Sequence, residues 1–287
     1  MKGIVTAILI LCSVLNVSAK KKAELPRAEI LVSYNYHHKF HPGDEGVIEK
    51  DIPFILLANP TESKFFCRNT EHKDSLQSTA EGKALYERML HEAIAKCSET
   101  RDRSVMDGTA YRTQLYVFKS RTDNEYRVYN YVGMTGHFFY REPFDEIAWT
   151  VADSTKQILG YECMMATADY HGRKWTAWFS PEIPIQNGPW KLGGLPGLIM
   201  EATTDDGKYS FVATGIQQVA KAIGSVYLAD SYEKTDRKSF LKAKRAFFEN
   251  PLGNLNAQFG GGITISGNAD AIFAAIGEVD FIETDYR

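Results

Sequence analysis

The residues able to do chemistry in this chain are a histidine group, a few carboxylates beside strand-like segments, and the cysteines. His37, His38 and His41 fall within five positions. Three imidazoles hold Zn or Cu when they converge. In a strand, His37 and His38 point to opposite faces and cannot both ligate without a bend. The expectation is therefore no metal and no cofactor, with a metal-handling protein through these three as an alternative. Glu182, Glu201 and His171 are the candidates for a hydrolase, because paired carboxylates do acid–base work when held at a fixed separation. Arg173, Glu182 and Glu201 fall on or beside adjacent strand-like segments, so a cross-strand ion pair is the first reading. The chain has no Gly-x-Ser-x-Gly elbow and no His-Glu-x-x-His pattern, so no catalytic residue is assigned.

These residues must be positioned by elements, and the N-terminus comes first. Lys2, the apolar run Ile4–Leu15 and Val17-Ser18-Ala19 have the form of a secretory signal cleaved after Ala19. The run is too short to span a bilayer, which takes about 20 residues. Cys12 follows Leu11 rather than a small residue, which argues against lipidation. The expectation is an exported protein, periplasmic or outer-envelope associated, without a transmembrane segment in the mature chain. Residues 20–287 are read as a single domain. With 44% hydrophobic and 24% charged residues the chain has the makings of a buried core. A net charge of −3 argues against a nucleic-acid partner.

Export places Cys67, Cys97 and Cys163 in an oxidising compartment. Cys67 and Cys97 bracket the helical region Leu76–Lys96, which predicts that they pair. Cys163, between Tyr161 and Met165 in a strand pattern, is then a buried thiol.

Along the chain, Leu85, Met89, Ala93 and Cys97 repeat at helical spacing and predict a helix over Glu81–Cys97. A second helix is predicted over Thr235–Asn250, capped by Thr235 or Asp236 and stopped by Pro251. Its Arg237, Lys238, Lys242, Lys244 and Arg245 read as a solvated basic face, with an anionic membrane surface as the alternative partner. Elsewhere strand signals dominate. Glu29–Tyr36, Asp51–Ala58 (an edge strand, given Pro53), Phe65–Cys67, Gln114–Lys119, Tyr126–Val132, Phe138–Arg141 and Glu146–Val151 come first. Ile158–Tyr170 turns at His171-Gly172 into Lys174–Phe179. Leu198–Thr203 and Tyr209–Gly215 flank the turn Asp205–Lys208. Consecutive strands with tight turns predict an α+β fold. Its core is an antiparallel, curved or partly open β-barrel-like sheet carrying one or two helices, by analogy with periplasmic lipoprotein-carrier half-barrels.

The segment Gly188–Glu201 is the most distinctive: residues 188–197 hold four glycines and two prolines. A phosphate loop is disfavoured because no Lys-Ser/Thr ending or helix follows. A rigid corner feeding a strand at Leu198, with at least one glycine at positive φ, is expected. The hexapeptide Gly194-Leu195-Pro196-Gly197-Leu198-Ile199 resembles the name-giving motif of the GLPGLI family of secreted bacterial proteins. Lys156–Cys163 (with Tyr161), Gly172-Arg173, Ala177-Trp178, Glu182-Ile183-Pro184, Gly188-Pro189 and Trp149 are similar to its spaced residues. Phe65-Phe66-Cys67 with Asp74-Ser75 is a looser match. The resemblance spans Ile30–Ile216. It implies Trp149, Tyr161, Arg173, Trp178, Glu182, Pro189, Gly194, Leu195, Pro196, Gly197 and Glu201 as ligand-binding or structural motif positions. It implies no established activity. The leading expectation is a non-enzymatic exported protein that binds an apolar or peptide-like ligand or assists an envelope partner.

Overall fold

In the computed structural model, residues 24–40, 48–102, 105, 113–132, 136–262 and 281–286 are described. The strands are β1 (Arg27–Phe40), β2 (Ile48–Ala58), β3 (Glu62–Cys67), β4 (Tyr116–Ser120), β5 (Glu125–Val132) and β6 (Gly136–Pro143). They continue with β7 (Thr150–Ile158), β8 (Tyr161–Tyr170), β9 (Arg173–Ser180), β10 (Leu198–Thr204), β11 (Tyr209–Ala222) and β12 (Glu233–Lys234). The helices are α1 (Arg68–Gln77), α2 (Ala80–Thr100), α3 (Arg237–Glu249) and α4 (Pro251–Phe259). The predicted signal segment and His41 lie outside the described residues.

All twelve strands form one sheet in the order β12-β6-β5-β4-β3-β2-β1-β11-β10-β9-β8-β7. It consists of two antiparallel meanders, β1–β6 and β7–β11, joined by the long strands β1 and β11 from Arg27↔Ala222 to His38↔Tyr209. β12 adds to β6 in parallel. The edge strands β12 and β7 do not pair with each other, so the α+β sheet is open rather than closed.

Both faces of the sheet are covered, which is why β4 is buried at every position. One core holds Tyr34, Phe54, Phe65, Val117, Val128, Tyr140, Trp175 and Phe211, together with residues of α3, the chain end and the segment 181–197. We call this the inner face. The outer core is smaller, with Ile55, Leu57, Phe66, Tyr116 and Phe118 under Ile223 and Val226.

The two predicted helices form: α2 is capped by Thr79, which accepts from Gly82 N at 3.0 Å, and α3 by Asp236, one of the two expected caps, which accepts from Ser239 N at 2.9 Å. Pro251 does more than stop α3; it opens α4 at a first-turn position where its missing N–H costs nothing. Strand Asp51–Ala58 is not at an edge, because β2 lies between β1 and β3. Pro53 is tolerated there because β3 pairs with β2 only from Phe54 to Ala58. The strand expected over Glu146–Val151 starts at Thr150 and runs to Ile158. It is an exposed edge strand, and its polar face blurs the alternation.

The expected Cys67–Cys97 disulfide is absent, and Cys67, Cys97 and Cys163 are free thiols. Cys67 is fully buried in the inner core. Cys97 stands 17 residues beyond the start of α2, about 26 Å along the helix axis at ~1.5 Å per residue. α2 packs on α1 and leaves Leu85 and Ile94 exposed. Cys163 is a buried strand thiol, as expected, and burial pushes its pKa up to about 11.

Candidate functional site

The segment 181–197 crosses the inner face without regular structure, and most of it is buried. Buried irregular backbone needs partners for its carbonyls. Four side chains from the sheet and its flanks provide them, and Tyr34 Oη donates to Ile199 O, just beyond the segment in β10, at 2.6 Å. Tyr126 Oη donates to Lys191 O at 2.8 Å. Arg121 donates to Gln186 O at 2.7 Å and Trp149 Nε1 to Gly193 O at 2.9 Å. Lys119, itself buried, donates to Gly188 O at 2.9 Å and also to Leu192 O.

The motif glycines serve this path. Gly194 holds φ +87° in open space, as expected of one glycine in the corner. Gly197 is required for another reason: a Cβ there would lie 2.1 Å from the carbonyl oxygen of Ser180. Leu195 is buried, whereas Pro196 faces solvent and Pro189 is buried with Trp190.

Trp190 and Lys191 carry the segment into a polar cluster. Lys191 is fully buried and pairs with Glu283 at 2.8 Å and with Glu142. Arg237 of α3 reaches Glu142 at 3.4 Å, Glu283 at 2.5 Å and Asp285. His171 Nδ1 lies 3.0 Å from Asp285 and 2.9 Å from the Arg237 guanidinium. Burial alone would raise the pKa of Glu283, but Lys191, His171 and Arg237 hold it below the usual range. Glu142 goes the other way, raised because burial outweighs its cations. Ligand atoms of His171, Glu283 and Asp285 lie within 4.8 Å of one another, the spacing of a metal site. Arg237 already bonds all three, so the cluster carries its own cation and does not fit a metal.

The remaining expected site residues are separated. Arg173 pairs with Asp206 at 2.9 Å rather than with Glu182 or Glu201, and its Nε and Nη2 donate to Phe281 O at 3.1 and 2.6 Å. It clamps the chain end to the β8–β9 hairpin. Glu182 is exposed and accepts from Glu162 N at 2.9 Å. Glu201 pairs with Lys156 at 2.8 Å, and Lys156 also sits over the Trp178 ring at 4.4 Å. Tyr161 packs against the inner core. His171, in the turn, is at the opposite end of the hairpin from Glu182 and Glu201, so the hydrolase trio is not assembled. His37 pairs with Asp51 at 2.8 Å, while His38 points to the inner face and stacks on Tyr209 with centroids 4.6 Å apart.

A cavity of about 400 Å³ opens beside the cluster, between the inner face, α3 and the chain end. Small-molecule sites run from ~300 to ~1,000 Å³. Its walls are mostly aromatic: Tyr36, Phe54, Tyr140, Trp190, Phe211 and Phe248 among them. Tyr36 stacks on Phe211 at 4.8 Å and meets Phe54 edge-on at 5.6 Å, which fixes the wall. Lys244 of α3 also lines it, and burial, against the pull of Glu283, pushes its pKa down to about 8. A larger hollow of about 650 Å³ lies on the outer face beside α1. Its buried Lys64 is already paired with Glu71 at 2.8 Å. Sequence reasoning missed Glu142, Lys191, Lys244, Glu283 and Asp285. The signal for Lys191 was a lysine between Trp190 and Leu192 inside a motif of buried character.

Residues 170–201 match the model of a family described as a protein of unknown function (Porph_ging). The match covers the β8–β9 turn, β9, the irregular segment and the start of β10. No curated protein matches. Among solved structures, the chain is similar to PNGF-II with a TM-score of 0.50 at 13% identity, over 75% of this chain and 33% of that one. The chain thus spans about a third of that protein, and the likeness is one of fold alone. A putative outer membrane lipoprotein-sorting protein domain from Vibrio parahaemolyticus is aligned over 70% of this chain and 89% of that chain, at 6% identity and a TM-score of 0.23.

Proposed function

We propose that this chain is an exported, non-enzymatic member of the GLPGLI family that binds an apolar ligand in the inner-face cavity and serves an envelope partner. The observation that carries the reading is the cavity itself, about 400 Å³ and walled by aromatic rings. Burying apolar ligand surface there gains roughly 25 cal/mol per Å². Two features support binding over hydrolysis. The carboxylates Glu182 and Glu201 are each engaged elsewhere, and Glu283, the carboxylate in the cavity wall, is neutralised by Lys191 and Arg237. The signal-like residues 1–19 support export, with Lys20 as the mature N-terminus.

Native mass spectrometry of protein recovered from the envelope of an exporting host tests the reading. An apolar molecule should accompany the chain and be lost on unfolding. Leu241→Trp, which fills the cavity, should prevent its capture while leaving the fold intact. An empty protein that also fails to bind any apolar probe after delipidation would refute it.

A further inference from the structure

We infer that the cavity selects single-chain amphiphiles with an anionic head, the apolar chain against the aromatic wall and the head at the ammonium of Lys244. The inference rests on the cavity being a ligand site, as proposed above, and it names the class of ligand. Lys244 is set apart from the other cations of α3. Arg245 pairs with Glu249 at 3.1 Å, and Arg237 is committed to the buried cluster. Lys244 instead stands 5.8 Å from the ring centroid of Tyr131 and 5.7 Å from those of Phe240 and Phe281. Ring faces compensate an ammonium only in part. Among the described residues no carboxylate forms an ion pair with it. Glu283, the carboxylate in the same cavity wall, is held between Lys191 and Arg237 at 2.8 and 2.5 Å.

Lys244 is half-buried. An ammonium partly drawn out of water without a counter-ion is unfavourable, and an anion delivered into the same space restores the pairing. A neutral apolar guest would fill the cavity and leave that deficit in place. A cationic guest would add like charge to it. The surrounding rings accept an alkyl or aromatic body, so the geometry asks for one anionic group at the α3 side and an apolar remainder. The burial-lowered pKa of Lys244 is the electrostatic counterpart of the same missing partner.

Calorimetric titration of the delipidated full chain at pH 7 tests this with dodecanoate, dodecanol and dodecyltrimethylammonium. Dodecanoate should bind at least tenfold more tightly than dodecanol, and the trimethylammonium probe most weakly. Lys244→Met should abolish the preference for the acid while keeping dodecanol binding, and Lys244→Arg should retain it. Equal affinity for acid and alcohol, or a preference that survives Lys244→Met, overturns the inference and leaves the apolar cavity standing. Failure of every probe overturns the cavity reading instead. Vesicles of anionic phospholipid form a separate arm: binding to them without dodecanoate binding assigns the basic charge of α3 to a membrane surface and overturns the inference.

Discussion

Lys191 is fully buried and Lys244 half-buried, and what meets each ammonium separates scaffold from site. Lys191 is enclosed by Glu142 and Glu283. Removing one member of a buried network leaves the others uncompensated, at about 3–5 kcal/mol. Lys191→Met should therefore destabilise the fold by that order, seen as a lower urea midpoint. Lys244 has no such partners, and burial holds its folded pKa at about 8, below the ordinary lysine value of 10.5. The charged form is thus penalised in the folded state, fully below pH 8, and the penalty disappears as pH rises toward 10.5. The other ionisable groups lining the cavity are Glu283, His38, Tyr36, Tyr131, Tyr140 and Tyr209. Lys244→Met is expected to raise the melting temperature at pH 7, by an amount on the order of 2 kcal/mol in stability. Thermal melts from pH 7 to pH 10.5 should show that advantage shrinking. A constant difference, or a loss at pH 7, would mean the ammonium is stabilised in the fold.

At the scale of elements, the irregular segment 181–197 behaves as a plug laid over the inner face. It is fixed by donors from β4, β5 and flanking loops: Lys119, Tyr126, Arg121 and Trp149. Its two kinds of glycine should respond differently to alanine. Gly194 has positive φ but open space, so Gly194→Ala costs about 1 kcal/mol. At Gly197 the new methyl would meet backbone at 2.1 Å, and β9 and β10 would have to separate. Gly197→Ala should cost about 3 kcal/mol or more, the upper range for overpacking. Denaturant unfolding of the two variants checks the order, and equal losses would mean the close approach to Ser180 relaxes freely. The β8–β9 turn shows the same economy of backbone: His171 and Gly172 both hold positive φ, 50° and 78°, as a two-residue hairpin turn requires. That turn then serves as an anchor, with Thr284 N donating to His171 O at 3.0 Å.

For the whole molecule, two local meanders are joined by a single long-range strand pair, and the chain end returns to the first core. Thiol chemistry reports on this arrangement. Cys67 and Cys163 are fully buried, whereas Cys97 is partly exposed on α2. In the native protein a maleimide should label Cys97 alone, and the other two should react only on unfolding. Non-reducing peptide mapping should find no Cys67–Cys97 bridge. Recovery of that bridge from native protein would require α2 to unwind or to pack differently from the arrangement described here.

What the amino-acid order determined by itself was local. The helical repeat of Leu85, Met89, Ala93 and Cys97 is α2, and the Asp236 cap and the Phe240-Leu241 pair place α3, because a helix is written within four residues. His171-Gly172 and Asp205–Lys208 turn where expected, because positive φ is a property of single residues. The glycine-proline corner was legible as scaffold for the same reason. Only the tertiary structure decided which strands meet, since the β1–β11 pair joins the two meanders at the middle of the sheet and no spacing announces it. The same holds for charge. On a helical wheel Lys244 and Arg237 are indistinguishable from the solvent-facing lysines of α3. The partial burial of both, and the different company each keeps, arises when residues 281–286 and Trp190-Lys191 fold over that helix. Electrostatic roles depend on what is excluded from water, and exclusion is set by packing between segments far apart in the chain.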